Sequence, residues 1–120
     1  MSQSKFDVAE SILKEVITIQ KVILPPFHRN TLITMTVLAC CYCQQNDHDK
    51  HIKAEKLLNL SILKLGDIYG KDHPDVVNNM NNYLLLLEKM GVDVSDQQTV
   101  LERLSRVTDD NNDDDDDFSL

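Results

Sequence analysis

Apolar residues recur in steps of three and four along most of this chain, the rhythm of a helix with one buried face. Ala9, Ile12, Leu13, Val16, Ile19 and Ile23 predict a first helix over residues 4–24, with those side chains as its apolar face. Pro25-Pro26 ends it, because proline lacks the N–H the ladder needs and restricts the residue before it. A second helix is predicted over 29–45. It is apolar on more than one side, as a helix buried between neighbours is. Residues 46–49, Asn-Asp-His-Asp, read as a turn.

A third helix, over 50–69, has Leu57, Leu58, Ser61, Ile62, Leu65 and Ile68 as its inner face, and Gly70 stops it. A fourth, over 74–90, begins with Pro74 in the first turn, with Asp72 or His73 as cap, and closes at Gly91. A fifth, over 96–107, carries Val100, Leu101, Leu104 and Val107 behind Ser95 or Asp96. Residues 108–120 have no periodicity and a block of like charge, so disorder is expected there.

The helices repeat. A shift of 45 residues superposes Lys5 on Lys50, Ala9 on Ala54, Glu10 on Glu55 and Leu13 on Leu58. It also superposes Ile17 on Ile62, Ile23 on Ile68, His28 on His73 and Met35 on Met80. Helix pairs too small to bury their own apolar faces stack, so an all-α solenoid over 1–107 is expected, with units at about 4–48 and 49–93 and a terminal helix. In that register the chain opens on the second helix of a pair. Either another element covers the first helix or the chain is a piece of a longer array, and the open face leaves room for self-association.

Three segments resemble a known family. Ala54-Glu55 leads a helix to Gly70; residues 71–76 read Lys-Asp-His-Pro-Asp-Val; residues 80–84 read Met-Asn-Asn-Tyr-Leu. This succession is similar to the tetratricopeptide repeat of the kinesin-light-chain type, with its A-E, G-K-D-H-P-x-V and L-N-N-L-A pattern. The match is densest over about 53–91. The upstream copy keeps His28, Met35, Leu38, Ala39 and Tyr42 but has Arg29 for the proline. Leu84 stands where the family has a small residue, so a widened or compensated helix contact is expected, and Leu87 stands where Tyr is common. The second unit therefore reads as a divergent, capping repeat.

The resemblance implies a non-enzymatic scaffold whose first helices line a groove for an extended peptide of a partner protein. On that reading Asn78, Asn81 and Asn82 form an amide stripe able to donate to and accept from any peptide backbone. Leu85 is expected to touch both groove and core, and Glu88 to favour a basic peptide. The earlier helix offers Ile33, Thr36, Cys40 and Cys43, a more apolar half. The plainer reading of the asparagines is a solvated helix face with Asn79 as another member. A structural alternative is a capping fragment or assembly subunit that docks by exposed helix faces and has no peptide groove.

Composition narrows these readings. The chain has 120 residues, 12 Lys and Arg against 20 Asp and Glu, and a net charge of −8. Seven acids (Asp109, Asp110 and residues 113–117) lie near the end, and removing 7 from 20 leaves 13 acids against 12 bases. A nearly neutral body with an anionic end argues against nucleic acid and against an anionic membrane. Three clustered cysteines, Cys40, Cys41 and Cys43, do not make a disulfide framework, and point to a reducing, cytoplasmic setting. With His48 and His51 they could build a zinc site, but thiols inside a buried helix read first as packing. His28 and His73 read as turn and cap residues rather than catalytic ones. No nucleophile motif, phosphate loop or acid/base pair is evident, so no enzyme, metal or cofactor is expected. The run at 113–117 reads as a solvated tail, and the closing Phe118-Ser119-Leu120 is a weak PDZ-type signal.

Overall fold

The computed structural model describes residues 2–109, and among these there are five helices and no strand. They are α1 (Gln3–Ile23), α2 (Arg29–Cys43), α3 (His48–Tyr69), α4 (Pro74–Lys89) and α5 (Gln97–Asp109). The fifth helix runs on through Thr108 and Asp109, which were expected to belong to the tail. The rest of the expected tail, the aspartate run and the closing Phe-Ser-Leu lie outside the described residues.

Local chemistry sets the boundaries. Leu24, ahead of the prolines, is extended at φ −112° and ψ 156°, as a residue before proline must be. His28 and His73 cap α2 and α4 in the same way. Each Nδ1 accepts the N–H two residues on, from Asn30 at 3.0 Å and from Asp75 at 3.1 Å. The turn expected at 46–49 is shorter, because Asp47 caps α3 by accepting from the N–H groups of Asp49 and Lys50, so His48 and Asp49 are helical. Gly70 and Gly91 end α3 and α4 at φ +91° and +82°, a region costly for side-chain-bearing residues. Phe27 takes φ +59° without being glycine. Its ring packs on the core with the Lys64 ammonium 4.4 Å from its centroid.

The helices pack in sequence order. α2 lies between α1 and α3, α3 lies between α2 and α4, and α5 rests on α3. α2 and α4 also touch. The core joins Ile17 of α1 to Leu32, Met35, Leu38 and Tyr42 of α2, Leu58 and Leu65 of α3, and Tyr83 and Leu87 of α4.

Four expectations about faces are corrected. On α1 the buried residues are Phe6, Glu10 and Ile17, whereas Ile12, Val16, Ile19 and Ile23 are exposed. The inward stripe contains a glutamate, which hides it from a reading by apolarity. Ile68, expected inside α3, is 52% exposed. It lies in the last turn of the helix. Leu85 is 59% exposed and belongs to no core contact of α4, whose buried residues are Val76, Asn79, Tyr83, Leu86 and Leu87. Asn79 is accordingly interior, not part of a solvated amide face.

Leu84 is half-buried against the core, while its register-mate Ala39 is wholly buried. α4 packs closely on α3 with Leu84 against the core, so the larger side chain is accommodated at a helix contact.

A buried acid recurs with the repeat. Glu10 receives Lys50 Nζ at 2.7 Å, and Gln45 Nε2 donates to its other oxygen. Glu55 receives Arg103 through two parallel bonds, Nε to Oε2 at 2.9 Å and Nη2 to Oε1 at 2.7 Å, and the Tyr83 hydroxyl donates to it at 2.9 Å. In each unit the Ala-Glu pair thus ties its helix to one further along the chain, α1 to α3 and α3 to α5.

Candidate functional site

α2 and α4 run side by side and parallel, and polar contacts clamp both ends. Arg29 Nε meets Asp75 Oδ2 at 2.8 Å at the N-terminal end. Lys89 Nζ donates to the Cys43 carbonyl at 2.9 Å at the other. These contacts join residues 46 apart, so the pair is held close to the register of the sequence repeat. Arg29 is therefore one of the residues that align the two helices.

This alignment brings two stripes together. Along α4, Asn78, Asn81, Leu85 and Glu88 are exposed, and Asn82 beside them is half-buried. Steps of three and four put them on one face. Along α2, Ile33, Thr36, Cys40 and Cys43 are half-buried in the corresponding positions. Every residue expected in the groove thus lies on one of two adjacent, parallel helices. Val37, missed in the sequence, is 49% exposed next to Thr36. Its signal was the all-round apolarity of α2.

The two halves differ chemically. Thr36 Oγ1 donates to Leu32 O at 3.0 Å, so its proton is used within its own helix. Burial raises the Cys40 thiol above its ordinary range, and pushes Cys43 up to about 11, with Cys40 adding to the effect and Lys89 opposing it. Desolvation, then Glu10, raises Cys41 as well. All three are free, neutral thiols at neutral pH, and the α2 half is uncharged. The α4 half carries solvent-facing amides and the carboxylate of Glu88. Asp75 is paired with Arg29, and at the other end the exposed Glu88 carboxylate stands beside the Lys89 ammonium, which keeps its charge on the Cys43 carbonyl.

Among the described residues no three His, Cys, Asp or Glu side chains gather closely enough to hold a metal ion. His51 is buried with no hydrogen-bond partner for Nε2, whereas His48 is exposed, so the two histidines near the cysteines stand in different surroundings. His28 and His73 spend Nδ1 on their caps. Among the described residues no helix is long and apolar enough to cross a membrane.

Among the described residues, fold and face together define an all-helical protein in which α2 and α4 run parallel, α2 presenting an uncharged stripe and α4 one rich in amides. Comparison with protein-family models, with curated proteins and with solved structures found no match.

Proposed function

We propose that this chain is a short tetratricopeptide-like α-solenoid of the kinesin-light-chain type, acting as a non-enzymatic protein-interaction module in the cytoplasm. The α2/α4 face holds an extended peptide segment of a partner protein. The observation that carries this reading is the clamped, parallel register of α2 and α4, which lines up Thr36 and Cys40 with Asn81 and Leu85. Amides on an exposed helix stripe can pair with the backbone of an extended chain whatever its sequence. Val37, Cys40 and Leu85 offer apolar contact beside them, and Glu88 selects for a basic residue at one end. No nucleic acid, membrane, metal or cofactor enters this function.

The test starts from a pull-down with the 120-residue chain, followed by titration of the recovered partner's peptides. Each amide hydrogen bond contributes about 0.5–1.5 kcal/mol. Asn81→Ala and Asn82→Ala should therefore each weaken binding several-fold while leaving folding nearly unchanged. Glu88→Lys should penalise basic peptides most, and the effect should shrink at high salt. Recovery of every partner by both asparagine variants would exclude the groove.

A further inference from the structure

The outward stripe of α1 is self-complementary. About the midpoint between Glu15 and Val16, Val8 mirrors Ile23, Ala9 mirrors Val22, and Ile12 mirrors Ile19. Apart from half-buried Ala9, these residues and Val16 are between 37% and 80% exposed. Ala9, Ile12, Val16, Ile19 and Ile23 also follow the alternating three-four spacing of a coiled-coil seam. A twofold axis across the helix brings the members of these three pairs together, with Val16 beside Glu15 at the axis, as an interface between identical surfaces requires. A parallel pairing would set each residue against itself, leaving the mirror pattern without a role.

We propose that a second copy of this chain covers the stripe, α1 packing antiparallel on α1. Three features of the helix favour this occupant. With ~100 Å² on a side chain of this size, the six exposed aliphatics offer roughly 400 Å², inside the ~300–600 Å² of the largest patches on monomers. Doubled across the axis and joined by the polar rim, the contact approaches the ~1,000 Å² expected of a specific interface. The charges α1 leaves to its outer side nearly cancel, Lys5, Lys14 and Lys21 against Asp7 and Glu15, with Glu10 paired inward to Lys50, so two copies meet there with little net repulsion although the whole chain is anionic. The inward residues Phe6, Glu10 and Ile17 stay on their own core, so pairing asks for no refolding.

Sedimentation of the full chain under reducing conditions tests the dimer. It should show a concentration-dependent species of twice the chain mass. Ile12→Glu and Ile19→Glu should each weaken association by ~30-fold or more. Circular dichroism should hold, and so should the Tm measured at concentrations where the parent is monomeric, because both residues are more than half exposed. A mixture of the Ile12→Lys chain with the Ile19→Glu chain should form a heterodimer, since antiparallel pairing sets Lys against Glu at one mirror pair and restores Ile against Ile at the other. A chain monomeric at every concentration overturns the proposal. So does a mixture that fails to pair, or association lost in Leu85→Glu but kept in the α1 variants. The groove lies on α2 and α4, so loss of peptide binding with the dimer intact, or the reverse, separates the failure of one reading from that of the other.

Discussion

Burial gives Cys43 a consequence for pH. An unfolded thiol loses its proton near the ordinary value of 9.0, whereas the folded one holds it to about 11. The native state therefore binds more protons across that window. Its stabilising contribution is complete below pH ~9 and is lost as pH rises towards ~11. With the thiol partly screened by solvent, the loss should be about 1–2 kcal/mol. Urea melts of the parent and of Cys43→Ala between those pH values check this: the parent should fall more steeply, and parallel curves would exclude the assignment. Leu85 makes a second residue-scale case. At 59% exposure, Leu85→Ala should change stability by no more than ~0.5 kcal/mol. Its effect should appear in peptide binding alone, as titration and thermal melts on the same variant would show.

Arg103 governs the attachment of a whole element. α5 touches α3 among the other helices, through Val100 and the forked Arg103–Glu55 pair, and Asn59 Nδ2 donates to the Arg103 carbonyl at 3.0 Å. Burial, then the charge of Glu55, raises the Tyr83 phenol far above its ordinary range, so it remains a donor to that carboxylate. Arg103→Met should leave a partly buried carboxylate without its cation and destabilise α5 by about 1–3 kcal/mol. Hydrogen exchange should report faster exchange in α5 and little change in α1 and α2. Uniform acceleration across all helices would mean that α5 is integral to a single cooperative unit. The paired caps act at the same scale. His28→Ala and His73→Ala should each cost about 1 kcal/mol, read from chemical denaturation.

At the scale of the molecule, α2 and α3 are the central elements, α2 packed against α1, α3 and α4 and α3 against α2, α4 and α5. Met35 and Leu38 of α2 are wholly buried. Either change to Ala should remove about 2–5 kcal/mol, a large part of the ~5–15 kcal/mol that holds a domain of ordinary stability. Val22→Ala, on the open side of α1, should stay within ~0.5 kcal/mol. Comparable losses at Met35 and Val22 in denaturant melts would contradict the placement of the core.

Much of this architecture was legible in local chemistry. Helix periodicity, Pro25-Pro26, Pro74 and the two terminating glycines fix five helices to within a few residues, because these signals act within one or two turns of the chain. The capping role of His28 and His73 was legible for the same reason. Which face points inward was not. Phe6, Glu10 and Ile17 make the inner stripe of α1 only because Lys50 and Gln45, distant in sequence, satisfy the Glu10 carboxylate. The aliphatic residues that looked like a core face are left outside because α2 covers one side of α1. Asn79 and Leu85 exchanged their expected places because α4 is buried on the side that meets α3, and local pattern carries no direction towards a neighbour. The candidate groove divides likewise. Its residue types and helical spacing were readable in the sequence, whereas the side-by-side register of α2 and α4 is set by the packing of both on α3 and is marked by Arg29 on Asp75 and Lys89 on the Cys43 carbonyl, contacts that only the folded chain brings together.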